Sequence, residues 1–260
     1  MSQYIEFIKF SHRLADLART HTLPHFRAQL DVVDKGDRQD YSPVTVADRE
    51  AEAAMRALIG ETYPDHGILG EEHGAANAGG GRCWVLDPID GTKSFIIGVP
   101  LWGTLIAFND GSGPVVGVMD QPVTGERFVG HDGGSFLGDR RLKTRPCERL
   151  KDAVLCTTGP ELFEEAAEQE AFAALRPQVR LARYGTDCYA YCMLAHGLVD
   201  LVVEAGLKPW DIQALIPIIR GAGGIVTTWD GGDPAQGGRI VAAGDPALHA
   251  LALDVLATAT

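Results

Sequence analysis

The run Cys83-Trp-Val-Leu86 is apolar throughout, and it leads into Asp87-Pro88-Ile89-Asp90 and then a Gly91-Thr92 step. A short apolar run bounded by turn signals reads as a buried strand, so the fold must cover this strand and deliver two carboxylates at its carboxyl end. Ligand sites in layered α/β proteins gather at such strand ends. Pro88 fixes its own φ and donates no hydrogen bond, which stiffens the link between the acids. Two carboxylates this close repel each other unless a cation stands between them. With the Ile89 carbonyl they form an all-oxygen set, which suits Mg²⁺ or Mn²⁺ rather than zinc. Gly91 lets the backbone approach a ligand closely, and the amides of Gly91 and Thr92 open a helical turn of the kind that accepts phosphate. Cations on one side and amides on the other make a receptor for a phosphate monoester. Taken alone, the same letters also read as a polar turn capped by Asp90, so the rest of the chain must decide.

The 260 residues carry a net charge of −12, and such a surface repels nucleic acid and anionic membranes. It also repels an anionic substrate unless cations are recruited. Apolar runs stay well short of the ~18 residues that a membrane helix needs. Five cysteines without CxxC spacing suit a reducing compartment. The opening MSQYIEFIKF lacks the pattern of a secretory leader, so a cytoplasmic protein is expected.

Periodicity predicts a helix in the first thirty residues through Ile5, Ile8, Leu14, Leu17 and Ala18, stopped near Pro24. A second helix is expected from about Thr45 to Ile59, with capping-box spacing at Thr45–Asp48. Apolar runs near 66–69, 83–87, 103–109, 115–120 and 126–130 read as an antiparallel sheet, with a small Gly-rich turn at Gly79-Gly80-Gly81. Beyond 153 strands and helices alternate: strand 153–157, helix 161–175, strand 179–182, helix 187–197, strand 199–204 and helix 210–220. Strands near 225–228 and 239–243 and a helix from Pro246 complete the series. The expected class is α/β, with an α+β part over 1–148 and an α/β part over 149–260.

Other acids join the pair. Glu71 and Glu72 follow a short strand in Ile68-Leu-Gly-Glu-Glu-His73, and Asp211 opens a helix behind Pro209 and Trp210. Each has an ordinary reading: solvated loop for the glutamates, helix-dipole acid for Asp211, helix cap for Asp48. Together, Asp48, Glu71-Glu72, Asp87-Pro-Ile-Asp-Gly-Thr92, Trp210-Asp211 and Gly223-Gly224 resemble the inositol monophosphatase superfamily of metal-dependent phosphatases, in order and spacing and over nearly the whole chain. The resemblance implies a layered αβαβα sandwich of the inositol monophosphatase/fructose-1,6-bisphosphatase type, usually a homodimer. It implies that Glu71, Asp87 and the Ile89 carbonyl hold one Mg²⁺. Asp87, Asp90 and Asp211 would hold a second, with a looser third ion near Glu71. Thr92 and Glu71 would orient the attacking water, Asp48 would bond the Thr92 hydroxyl, and no phosphoenzyme would form. Asp90, Gly91, Thr92 and Asp211 would also contact the substrate.

Within that superfamily, Lys93-Ser-Phe95, the Gly98-Val-Pro-Leu continuation and the segment Arg183–Ile218 look like histidinol phosphatases. The resemblance puts Glu204 against the leaving alcohol. Asp187 takes a position that is small and neutral in inositol phosphatases. A carboxylate there rewards a cationic alcohol such as histidinol over a neutral one, although Asp187 also reads as the cap of the helix it begins. Inositol-1-phosphate and 3′(2′),5′-bisphosphate nucleotides are the alternative substrates, and a non-catalytic RNA-associated regulator is the alternative outside enzymology. Arg183 is a weaker candidate for the entrance. His21 and His25 lack an acid to complete a zinc set, Cys188 and Cys192 read as core, and His66 and His73 read as loop. Trp210 is expected beneath the metal site, and Gly223-Gly224 at a tight helix end.

Overall fold

The computed structural model describes residues 2–28, 32–34, 43–77 and 81–257, without the side chains of 32–34 and 43–45. The capping role expected of Thr45 and the turn at Gly79 and Gly80 lie outside that set. Helix α1 (Ile5–Thr22) ends in a 3₁₀ turn at Leu23–His25, where Pro24 has no N–H to continue the ladder. Strands β1 (Val32–Asp34) and β2 (Pro43–Thr45) pair antiparallel and lead into α2 (Val46–Thr62).

An eight-stranded sheet follows, from β3 (Gly67–Gly70), β4 (Gly74–Ala76) and β5 (Cys83–Asp90). After the short helix α3 (Thr92–Ile96) come β6 (Gly103–Asn109), β7 (Pro114–Gln121), β8 (Glu126–His131), β9 (Gly134–Leu137) and β10 (Arg140–Arg141). Their order is β10-β9-β8-β7-β6-β5-β3-β4. The sheet is not antiparallel throughout, as the sequence suggested, because β3 and β5 run parallel. Strand β4 turns back along the outer edge of β3 and returns the chain to the starting end, so β5 enters in the direction of β3. Their carboxyl ends therefore lie side by side.

The second half comprises β11 (Val154–Thr157), α4 (Ala166–Leu175), β12 (Leu181–Tyr184), α5 (Asp187–Ala195) and β13 (Leu201–Leu207). It continues with α6 (Pro209–Ile212), α7 (Leu215–Gly221), β14 (Ile225–Thr228), β15 (Gly238–Ala243) and α8 (Pro246–Ala257). The strands form a mixed sheet, β12-β11-β13-β15-β14. The single helix expected over 210–220 is two. In a continuous helix the ring of Pro217 would collide with the carbonyl of Gln213, so the chain restarts at Leu215 and Pro217 falls in the first turn of α7.

Strand periodicity sorts the residues into layers. Trp84, Leu86, Ile106, Phe108, Val116 and Val118 face α1 and α2, whereas Val85, Leu105, Ala107 and Met119 face α5 and α7. On the second sheet, Val202, Ile240 and Ala242 join that same middle core, and Leu201, Val203, Val241 and Ala243 pack against α4 and α8. The result is the αβαβα sandwich. Both sheets are covered on both faces, which is why their strands read as continuous apolar runs. Each fully buried leucine or isoleucine contributes roughly 1.5–3 kcal/mol. Helix α7 lies directly on the sheet at Gly117 and Gly130, where a Cβ would strike the backbone of Ala214 and of Pro217–Ile218. No described helix is long and apolar enough to cross a membrane.

Candidate active site

The parallel pairing of β3 with β5 sets Gly70 opposite Leu86, and the Glu71 amide donates to the Leu86 carbonyl at 3.3 Å. Glu71 is thereby carried to the cleft that Asp87 also lines. Asp87 and Asp90 are three residues apart and would point to opposite faces of a regular strand. They do not, because the β5–β6 register shifts: Asp87 opposes Leu105 but Asp90 opposes Gly103. The extra residue is a bulge, a device that re-aims side chains, and Pro88 sits inside it with no amide to leave unpaired. Asp211 arrives from α6, where its Oδ2 accepts the Lys208 amide at 2.6 Å. Carboxylate oxygens of Asp87, Asp90 and Asp211 lie within 4.8 Å of one another.

Local bonds hold these groups. The Ile89 amide donates to Asp87 Oδ1 at 3.1 Å, and the Cys188 amide at the start of α5 donates to Asp90 Oδ2 at 2.8 Å. Gly91, at φ 86°, turns the chain into α3; a Cβ there would press on the Leu101 carbonyl and the Asp187 carboxylate. The Thr92 hydroxyl, expected to meet Asp48, donates to the Ile89 carbonyl at 3.1 Å. Asp48 is buried in the first turn of α2, and its charge is felt at Asp87.

Burial pushes Asp87 well above the usual carboxylate range, and the charges of Glu71, Asp90, Asp211 and Asp48 push it further. Asp90 is raised by burial and by Asp187 and Asp211, with the Cys188 contact opposing. Asp211 is raised to about 6 by burial, against the amide and charge of Lys208. Such carboxylates strongly favour a proton or another cation. The donors are carboxylate and carbonyl oxygens, with no imidazole or thiolate among them, and this set fits a hard divalent ion.

Two more acids line the same cleft. Glu204, on β13, accepts the amide and hydroxyl of Thr158 at 2.9 and 2.6 Å and the Tyr191 hydroxyl at 2.8 Å. Its carboxyl is raised to about 7 by burial, with those donors opposing. Asp187 does not cap α5. It adopts φ 41°, unusual for a residue with a side chain, and Oδ2 accepts the Ser94 hydroxyl from α3 at 3.1 Å. Burial raises it too, while Ser94, Thr158 and Lys93 oppose. Lys93 pairs with Glu161 at 3.7 Å, both half exposed.

Every predicted site residue except Asp48 and the weaker candidate Arg183 lines this one cleft, and Asp48 stands behind it. Of the features read as structural, only Cys188 reaches the cleft wall. His66 accepts the Trp84 indole N–H at 3.1 Å, Cys188 and Cys192 are buried free thiols, and Trp210 packs on the middle core. Gly223 turns the chain at φ 91° between α7 and β14. Sequence reasoning missed Thr158, Tyr191 and Ser94, whose hydroxyls hold Glu204 and Asp187. It also missed Glu52, a fully buried carboxylate on α2 that accepts the amides of Glu72 and His73. The spacing Asp48, Glu52, Arg56 along one helical face was the available signal.

A comparison with known proteins agrees with this geometry. The pattern of the inositol monophosphatase family matches residues 3–259. The bifunctional phosphatase IMPL2 of Arabidopsis thaliana is 45% identical, covering 96% of this chain and 75% of that protein. The histidinol-phosphatase of Streptomyces coelicolor is 36% identical, covering 96% of each. The solved structure of an inositol monophosphatase from Zymomonas mobilis superposes with a TM-score of 0.88 at 43% identity, covering 99% of this chain and 100% of that one. By its sequence, its fold and its acid-lined cleft, this chain belongs to the inositol monophosphatase family of metal-dependent phosphatases.

Proposed function

We propose that the chain hydrolyses histidinol phosphate to histidinol and phosphate with Mg²⁺, two or three ions per site, or with Mn²⁺. Glu71, Asp87 and the Ile89 carbonyl would hold one ion, and Asp87, Asp90 and Asp211 another. When bound, such ions supply positive charge against the phosphate and lower the pKa of the attacking water. The protein does the rest. Gly91 and Thr92 offer amides to the phosphate, while Glu71 and the Thr92 hydroxyl orient a water in line with the scissile bond, and Asp48 acts through its charge at Asp87. Phosphorus gains the water oxygen and loses the alcohol oxygen in one displacement. The part over 1–148 brings most of the ion-holding groups; the part over 149–260 brings Asp211 and the groups facing the alcohol. The homodimer and cytoplasmic location expected from the sequence belong to the same proposal.

The substrate reading rests on the placement of Asp187. Its carboxylate lines the cleft beside Gly91, within reach of the charges of Asp90 and Glu204, and it accepts the Ser94 hydroxyl. Two carboxylates facing the leaving group reward an alcohol bearing an ammonium and a protonatable imidazole, and they penalise a neutral one. The names of relatives support both this reading and a second. One relative is a histidinol-phosphatase, but a structure 43% identical is of an inositol monophosphatase, so inositol 1-phosphate is the competing substrate.

The test is kcat/KM for histidinol phosphate, inositol 1-phosphate, adenosine 3′,5′-bisphosphate and fructose 1,6-bisphosphate, measured side by side. Histidinol phosphate is expected to lead by tenfold or more, on the order of 1.4 kcal/mol. Asp187→Ala should raise KM for histidinol phosphate far more than for β-glycerophosphate. Equal losses on both esters would remove the ammonium from the account.

A further inference from the structure

Helix α2 presents Asp48, Glu52 and Arg56 at successive four-residue steps, hence on one face. Asp48 approaches Asp87 on β5. Glu52, with no exposed surface, accepts the Glu72 amide at 2.7 Å through Oε2 and the His73 amide at 3.1 Å through Oε1. Arg56 donates from Nε to Glu52 Oε1 at 2.6 Å, and its NH2 group donates to the Gly74 carbonyl. The turn after β3 is thus gripped at three consecutive residues, 72, 73 and 74. Position 70 is glycine for the same reason, since a Cβ there would strike the Glu52 carboxylate. Glu71 lies between Gly70 and the gripped amides, and its backbone has little freedom left.

We infer that Glu52 and Arg56 form a positioning pair that fixes Glu71 against Asp87 and so sets the affinity of the cleft for divalent cations. The inference rests on the functional reading above, in which Glu71 holds an ion. Neither Glu52 nor Arg56 lines the cleft, so they act through Glu71 and not on the substrate. A carboxylate is needed because it accepts from two amides and an arginine at once. A carboxamide offers one acceptor oxygen and turns an NH₂ toward a group that also donates.

The experiment is Mn²⁺ and Mg²⁺ binding to metal-free full-length Glu52→Gln by titration calorimetry. Amide exchange at Glu72 and His73, and the Mg²⁺ dependence of phosphate release, are read on the same protein. The expected result is cation binding weakened at least tenfold, faster exchange at those two amides, and a matching rise in the Mg²⁺ needed for half-maximal activity. Glu52→Gln with wild-type cation binding and wild-type exchange would overturn the inference. If that variant fails to fold, Arg56→Gln decides: binding weakened threefold or more supports the pair, and unchanged binding overturns it. Wild-type protein is the control. Absence of Mg²⁺-dependent phosphate release there would defeat the functional reading, whereas active wild type with an unaltered variant would defeat only this inference.

Discussion

Buried carboxylates in this protein fall into two groups that differ in what faces them. Outside the cleft, Asp120, Asp200 and Glu52 are each held by arginine. Asp120, fully buried on β7, is bonded by Arg19 at 2.6 and 2.8 Å and by Arg127 at 2.7 Å. Asp200 is held by Arg145 through two bonds of 2.6 Å, and Glu52 by Arg56. Inside the cleft, among the described residues, no arginine or lysine forms an ion pair with Asp87, Asp90 or Asp211, and burial pushes all three upward. The first group is built to be complete on its own. The second carries concentrated negative charge that the chain itself leaves uncompensated, which is how a protein makes room for ions from solution.

The contrast predicts opposite responses to the same chemical change. Asp90→Asn or Asp211→Asn should lower Mg²⁺-dependent turnover by about 1,000-fold, close to 4 kcal/mol of transition-state stabilisation. Circular dichroism should stay unchanged, and the metal-free protein should melt at a higher temperature than wild type, because one repelling charge is gone. A variant that keeps a tenth of wild-type activity at saturating Mg²⁺ would break the contrast. Asp120→Asn should do the reverse. It takes the carboxylate partner from Arg19 and leaves Arg127 only Asp16 among the described residues, and it should cost on the order of 3 kcal/mol of stability in urea denaturation, with kcat per folded molecule unchanged.

Glu204 sharpens the comparison because it has hydroxyl and amide donors but no cation. Its folded pKa of about 7 lies above its ordinary 4.5. The stability it contributes is therefore full below pH 4.5 and lost as pH rises through 7. Glu204→Gln keeps the Thr158 contacts through its oxygen and turns an NH₂ to the Tyr191 oxygen. The variant should match wild type near pH 4.5 and exceed it by up to about 3 kcal/mol at pH 8, read from denaturation midpoints across that range. Parallel curves for the two proteins would show that Glu204 is charged at little cost.

Much of this was legible in the sequence because it rests on local rules. Cys83–Leu86 is apolar at every position since both faces of β5 are covered, and Asp87 ends the run where the cleft begins. What was hidden depends on pairing. Nothing in Gly67–Gly70 announces that it runs parallel to β5, yet that choice brings Glu71 beside Asp87. The bulge that turns Asp87 and Asp90 to one side appears only in the β5–β6 register, with Pro88 as its one local hint. The break before α7 was readable from Pro217, had its clash with the preceding turn been weighed against the helical period. Glu52 resembled any helix-surface glutamate until the turn it grips was in place.

The central claim is that Asp87, Asp90, Asp211, Glu71 and the Ile89 carbonyl gather divalent cations. Anomalous diffraction from crystals grown with Mn²⁺ tests it most directly. The account predicts at least two manganese peaks within coordinating distance of these oxygens, with Asp87 touching both. Crystals whose cleft shows no anomalous signal at saturating Mn²⁺ would contradict it.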